Sequence, residues 1–171
     1  MSWSRRELTR LIVGAASAIA LAGCGFQPLY GPGINNTEVS TSLASVRVEP
    51  LTDRAGQQMH NFLRDRLNPR GQPADASYSL RIQLTERLQE LGVRRDETAT
   101  RANLRMEADF ILLSVDGQTQ LMSGESASTT SYDILTNPFA TTVSEETARE
   151  RALREVADDI HTRLALYFAK Q

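Results

Sequence analysis

The feature that most constrains this chain is a long, regular alternation of apolar and polar residues. From Ala102 to Leu112 every second residue is apolar, and the residues between them are polar as far as Asp109. Because successive side chains of a β-strand point to opposite faces, this alternation predicts a strand with one buried face. Both faces become apolar near Ile111–Leu113, which indicates a centrally placed strand. A second alternating stretch, Tyr78–Thr85, predicts a neighbouring strand.

Two further strands are predicted, one before and one after this pair in the sequence. Ser45–Glu49 alternates and ends at Pro50, which is typical of a strand that stops there. Asp116-Gly117 is a tight-turn signal, and a fourth strand follows it from about Gln120 to Tyr132. We predict a β-bulge at Gly124 in this last strand.

Two helices are predicted from apolar residues three or four positions apart. The first runs from Arg54 to Asn68 and ends before Pro69. The second closes the chain, with a predicted length of roughly 22–26 residues. Its expected start is a capping box of Thr142 and Glu145, with Ser144 as a competing cap. Its apolar face is formed by Leu153, Val156, Ile160, Leu164 and Tyr167.

The resulting order, β-α-β-β-β-α, predicts an α/β (α+β) fold. We expect a two-layer sandwich in which a four-stranded sheet carries two helices on one face. At 171 residues the chain is long enough for one domain with its own core, which we assign to residues 43–171.

Residues 1–23 have the pattern of a signal peptide rather than of a folded element. Arg5, Arg6 and Arg10 precede an uncharged apolar run that ends at Gly23 and is too short for a membrane-spanning helix. The motif Leu21-Ala22-Gly23-Cys24 resembles the bacterial lipobox, in which the Cys is acylated and becomes the mature N-terminus. We therefore predict that Cys24 is lipidated and that residues 24–42 form a lipidated tether.

Two further properties of this segment bear on the export route and on the membrane in which the protein resides. The twin Arg5-Arg6 is compatible with twin-arginine export as well as with the general secretory route, and both stay open. Gly25 follows the Cys where an Asp would retain a lipoprotein in the inner membrane, so we expect the outer membrane.

Composition excludes several classes of function. Lys and Arg number 19 against 21 Asp and Glu, a net charge of -2 that argues against a protein that coats nucleic acid. With one Cys there is no internal disulfide and no Cys-rich zinc site. His60 and His161 have no nucleophile or ligand at a recognisable spacing, so we expect no catalytic residue, metal or cofactor. A small hydrolase using either histidine is the least favoured alternative.

The polar face of the predicted sheet is the first candidate site. If the helices cover the side of Tyr78 and Leu80, the other side carries Arg81, Gln83, Asn103 and Arg105, together with Glu107 and Asp109. Two interpretations stay open: plain exposure to solvent, or enclosure by a large partner.

The second candidate site is the connection between the second and third strands. Arg94, Arg95 and Arg101 lie near its predicted tip, and Arg side chains bind phosphate oxygens through paired hydrogen bonds. They could contact an anionic lipid headgroup. Alternatively, Asp96 and Glu97 neutralise them within a polar loop.

The chain resembles a known family at both ends of its mature part. The run Cys24–Gly31 (CGFQPLYG) follows the lipobox at once, and the C-terminal part contains NPFA at Asn137–Ala140 and ERALREVADDI at Glu150–Ile160. Together with the predicted element order, these motifs are similar to the lipopolysaccharide-assembly lipoprotein family LptE. The resemblance covers essentially the whole mature chain.

The resemblance implies a non-enzymatic role. Family members plug the lumen of the outer-membrane β-barrel LptD, and the pair inserts lipopolysaccharide into the outer leaflet. We therefore expect an outer-membrane location, facing the periplasm and within the barrel lumen, with LptD and lipopolysaccharide as partners and no nucleic acid. A polar lumen would suit the polar sheet face. The alternative is an unrelated periplasm-facing lipoprotein scaffold of similar fold.

Overall fold

The two alternating stretches form the middle of a four-stranded sheet. The structure is a computed structural model that describes residues 34–93 and 99–171, with side chains described for 37–91 and 100–171. The strands are β1 (Val46–Val48), β2 (Tyr78–Val93), β3 (Ala99–Ser114) and β4 (Gln120–Asp133). They are ordered β1-β2-β3-β4, with β1 parallel to β2 and the other pairs antiparallel.

Three helices accompany this sheet in the described part of the chain: α1 (Ile34–Ala44), α2 (Arg54–Leu67) and α3 (Pro138–Phe168). The predicted α+β class and the order of its strands are confirmed, but there are three helices rather than two. α1 lies mostly within the segment predicted to be a tether. Among the described side chains of this helix, Val39 and Leu43 are buried, which is too few apolar positions to produce a recognisable period in the sequence.

α2 begins directly after its N-cap residue, Asp53. The Asp53 carboxylate accepts a hydrogen bond from the backbone N–H of Gly56 at 2.5 Å, which satisfies one of the free donors of the first turn. The helix ends at Leu67, and the side-chain amide of Asn68 donates to the carbonyl of Ala44 at 2.8 Å. This bond ties the end of α2 to the end of α1.

α3 begins earlier than predicted. Asn137 is its N-cap: the Asn137 side chain accepts a hydrogen bond from the N–H of Phe139 at 3.0 Å, and Pro138 occupies the first helical turn. The predicted starts at Thr142 or Ser144 are therefore wrong. Proline at this position loses no helical hydrogen bond, and it makes Asn137 the better start. The helix reaches 31 residues.

α3 is the element on which the core is built. It packs on β3 and β4 and also contacts α1 and α2, so all described helices lie on one side of the sheet. Fully buried side chains meet at this interface from both layers: Leu104, Met106, Phe110 and Leu112 from β3, and Leu153, Ile160 and Leu164 from α3. Two hydrogen bonds fix the helix against β4, from Thr130 Oγ1 to the Ala148 carbonyl at 2.9 Å and from Ser128 to Glu155 at 2.5 Å.

The bulge predicted at Gly124 is wrong. Gly124 pairs in regular register with Phe110, and the irregularity between β3 and β4 lies between Leu112 and Leu113. A Cβ at position 124 would come within 2.8 Å of the Phe110 ring. The glycine therefore makes room for the ring of its cross-strand partner.

The signal peptide, Cys24 and the first part of the tether lie outside the described residues. The division of the chain into signal, tether and domain therefore stays a prediction. None of the helices in the described ranges is long and apolar enough to cross a membrane.

Candidate functional site on the open face of the sheet

The side of the sheet turned away from the helices is not covered by any described element, and we call it the open face. Alternation places the exposed side chains of Arg81 and Gln83 of β2 on it, beside Asn103 and Arg105 of β3. All four predicted partner-binding residues therefore share one surface. Leu80, Leu104 and Met106 point to the helices and are buried.

An ion pair orders the β1 side of the open face. Arg81 donates two hydrogen bonds to the Glu49 carboxylate, from Nε at 2.9 Å and from a terminal nitrogen at 3.2 Å. Ser79 donates to the same carboxylate at 2.9 Å. The Arg81 hydrogen bond is the main cause that lowers the pKa of Glu49, so the pair stays charged at neutral pH.

A second cluster lies at the centre of the open face. Glu107 accepts a hydrogen bond from Arg105 Nε at 2.6 Å, and Arg87 approaches its other oxygen at 3.5 Å. The Arg105 hydrogen bond is the largest cause that lowers the pKa of Glu107. Beside this cluster, Ser131 of β4 donates to the Asn103 side-chain oxygen at 2.7 Å. These contacts pair the long side chains of the open face with one another, and each exposed ion pair contributes little to stability by itself.

The three arginines predicted to contact lipid are only partly described. Arg94 and Arg95 lie outside the described residues. Arg101 is exposed on the open face at the hairpin end of the sheet, where its Nε donates to Asp133 of β4 at 3.1 Å. Leu91, Thr100, Arg101 and Asp133 line a shallow depression of about 380 Å³ there.

The two histidines lie apart from the open face. His60 Nε2 is 3.2 Å from the side-chain nitrogen of Gln72, and His161 is half-buried on α3. Burial is the first cause that lowers the pKa of His161, and the charge of Arg66 adds to it, while Asp158 acts in the opposite sense. Within the described ranges no three His, Cys, Asp or Glu side chains come together in a way that could hold a metal ion.

Two features near the start of α3 were missed by the sequence reasoning. A groove of about 330 Å³ separates this part of α3 from the start of α2, and Arg54 bridges it to Glu146 at 3.2 Å. Phe139 and Val143 are large apolar side chains that remain exposed nearby in the chain. The NPFA motif marks the start of α3, and it is the pattern in the sequence that could have indicated these two features.

Arg149 is the other residue that was missed. It donates to Glu86 of β2 through two nitrogens, at 2.7 and 2.8 Å, and to Glu145 of its own helix at 2.6 Å. These hydrogen bonds raise the pKa of Arg149. They also join α3 to β2, a strand on which α3 does not pack. In the sequence Arg149 lies among other charged residues of the last helix, and no local pattern distinguishes it from them.

Solved structures of bacterial lipoproteins share this fold. A putative lipoprotein from Caulobacter crescentus CB15 superposes with a TM-score of 0.69 at 26% identity, covering 79% of this chain and 98% of that chain. Rare lipoprotein B from Shewanella oneidensis matches in fold, with a TM-score of 0.52 at 14% identity, covering 71% of this chain and 92% of the other. Fold and likeness together define the class as a bacterial lipoprotein domain of the α+β type.

The family can then be stated. The family model LptE, described as lipopolysaccharide-assembly, matches residues 43–164, which is more than half of the chain. The chain belongs to this family and is a lipopolysaccharide-assembly lipoprotein, as the motifs predicted. It is also similar to the uncharacterized protein RP188 of Rickettsia prowazekii (strain Madrid E), at 24% identity over 151 residues, 88% of this chain and 92% of the relative.

Proposed function

We propose that this protein is a non-catalytic outer-membrane lipoprotein, anchored through Cys24, that plugs and helps assemble an LptD-type β-barrel for lipopolysaccharide insertion. The open face is the observation that carries this proposal. No described helix packs on this side of the sheet, and most of it carries exposed, mutually paired polar groups, with Leu113 buried towards β1. A barrel lumen is lined by polar side chains, so it offers hydrogen-bonding partners for this surface.

The decisive experiment is affinity capture of the tagged mature protein from solubilised outer membrane of its native host, with partners identified by mass. We expect a barrel of several hundred residues in stoichiometric amount. Recovery of the protein free and monomeric would contradict the proposal and favour the unrelated scaffold.

A matched pair of variants tests the open face within the same experiment. Gln83→Trp adds bulk to the open face at an exposed residue, whereas Arg151→Trp adds the same bulk to the exposed side of α3. We expect Gln83→Trp to reduce the recovered barrel by about tenfold, equivalent to about 1.4 kcal/mol, and Arg151→Trp to change it much less. Equal recovery with both variants would contradict the role of the open face.

We further propose that Arg94, Arg95 and Arg101 contact lipopolysaccharide phosphates. Arg101 would have to exchange its exposed bond to Asp133 for a phosphate, which costs little because exposed ion pairs contribute about 0–1 kcal/mol. Changing all three to Glu should weaken lipopolysaccharide binding and leave the barrel complex intact. Arg151, Arg154 and Arg163 on α3, changed to Glu together, give a control of equal charge. Unchanged binding in the first variant would rule out the ligand role.

A further inference from the structure

The outer part of β2 has no strand beside it on the β1 side. β1 pairs only with Tyr78, Ser79 and Leu80, whereas β2 continues to Val93. The chain leaves the sheet after Glu49, whose N–H bonds the Leu80 carbonyl, and Pro50 follows. Within the described ranges β2 therefore presents a free edge from Arg81 to Leu91, roughly 35 Å long at about 3.3 Å per residue.

The backbone groups of this edge are available for pairing. Glu49 N donates to the Leu80 carbonyl at 2.9 Å, so the backbone of Leu80 points towards β1. Since orientation alternates along a strand, the N–H and C=O groups of Ile82, Leu84, Glu86 and Leu88 point to the same side. The described contacts include no backbone hydrogen bond from another element to these four residues. Unpaired groups in such a row form a template for another strand.

The side chains along this edge indicate what kind of strand would fit. On the helix side, Leu84 is partly exposed, Leu88 is 49% exposed, and Glu90 is exposed. Glu86 is held by Arg149, whereas Glu90 has no ion pair with any described residue. On the open face Gln83, Thr85 and Gln89 are uncharged. The edge also contains neither Pro nor Lys, two residues by which proteins commonly block strand addition.

Charge disfavours a second copy of this chain in the registers that bring its like-charged residues opposite each other. In an antiparallel pair of two such edges centred on Glu86, this carboxylate would face its own copy. Centring the pair on Leu88 would place Glu86 opposite Glu90, and centring it on Arg87 would place two guanidinium groups opposite each other. Like charges directly across a strand pair are destabilising. A different chain with a basic residue opposite Glu90 meets no such repulsion.

We propose that the free edge of β2 receives an added β-strand from the barrel partner. This inference rests on the proposed function. The added segment is extended, about five or six residues long as in ordinary strands. It carries aliphatic and basic residues on the helix side, next to Leu88 and Glu90, and neutral polar residues beside Gln83 and Gln89. Main-chain hydrogen bonds supply its affinity, and the alternating side chains supply its specificity.

The test uses proline to remove one outward N–H. Leu88→Pro removes a donor that would bond the added strand and leaves the pairing with β3 in place, as proline is tolerated on a free edge. Thr129→Pro is the matched control on the edge of β4, where Thr129 is exposed and its backbone also points outward. We expect Leu88→Pro to lower the recovery of the barrel by about tenfold, and Thr129→Pro by less than about twofold.

Hydrogen exchange on the unmodified chain provides a second measurement that does not depend on the folding of a variant. The amides of Leu84, Glu86 and Leu88 should exchange rapidly in the free protein and slowly in the barrel complex. If the barrel is captured but these amides stay unprotected, or if both proline variants capture it equally, the edge proposal is overturned and the proposed function stands. A Leu88-dependent homodimer would also overturn it. If no barrel is captured by the wild type, both proposals fall together.

Discussion

His161 illustrates how packing changes the behaviour of one residue. Burial and the charge of Arg66 lower its pKa below the usual value of about 6.5. The unfolded chain therefore binds a proton in a pH range where the folded chain does not, and stability must fall as the pH falls through that range.

The first prediction follows from this loss of stability as the pH falls. His161→Gln should flatten the dependence of unfolding free energy on pH between about pH 7 and pH 5.5, where the wild type loses no more than about 1.4 kcal/mol per pH unit through this group. Urea unfolding at a series of pH values measures it. An unchanged slope in His161→Gln would contradict the assignment.

The contact between Gly124 and Phe110 gives a second prediction. Gly124→Ala forces a Cβ to within 2.8 Å of a ring that is 1% exposed, so the folded state should lose about 1–3 kcal/mol. Thermal unfolding should report this loss. Phe110→Leu removes the ring atoms at fault, so adding Gly124→Ala to Phe110→Leu should cost much less than adding it to the wild type. Additive costs would refute the steric explanation.

For single residues, the sequence predicts which side chains are exposed better than it predicts the residues with which they pair. Arg81 and Arg105 were expected on the outer face because alternation alone decides the side of a strand on which a residue lies. Glu107 lies two residues from Arg105 on the same face, so alternation alone brings this pair together, whereas the partner of Arg81, Glu49, could not be predicted. Glu49 reaches Arg81 through the parallel register of β1, and parallel pairing leaves no local mark in the sequence.

At the scale of elements, the start of α3 supports a third prediction. Asn137→Ala removes the side-chain acceptor for the first turn and should cost about 1 kcal/mol. Ser144→Ala, at the alternative helix start predicted from the sequence, should lie within about 0.5 kcal/mol of the wild type. Chemical denaturation of both variants compares them directly, and a larger loss for Ser144→Ala would show that the cap lies further along the chain.

The ion pair of Arg149 on α3 with Glu86 on β2 supports a fourth prediction. Arg149→Ala removes hydrogen bonds to two carboxylates that are only about one-third exposed, so we expect a loss of about 1.5–3 kcal/mol. Arg163→Ala breaks a more exposed pair with Asp159 within one helix, and should cost less than about 0.5 kcal/mol. The difference between the two variants should shrink in high salt, as measured by urea unfolding.

Strands and helices could be predicted where their periodic pattern of apolar residues extends over many positions. β2, β3 and α2 were recognised from many periodic positions, and α2 was placed to within a residue. α1 was missed because its stability comes from packing Val39 and Leu43 into the rest of the domain, not from its own pattern.

For the whole molecule, the lipid anchor is the prediction with the clearest readout. Cys24→Ala should abolish labelling by radioactive palmitate, because no other thiol is available in the chain. Gly25→Asp is the matched control: it should keep the label and shift the protein to the inner-membrane fraction. Continued labelling of Cys24→Ala would refute the lipobox, and outer-membrane recovery of Gly25→Asp would refute the sorting expectation.

The position of α3 at the end of the chain has a consequence for export. β1 is completed by a strand that follows it by about thirty residues, and α1 and α2 both rest on a helix that ends at Phe168. A chain that crosses a membrane with its N-terminus first would therefore carry early segments that cannot become stable until the last helix has emerged. If the chain is exported unfolded, translocation therefore precedes folding, and a chain that lacks the end of α3 would remain incompletely folded and exposed to proteases.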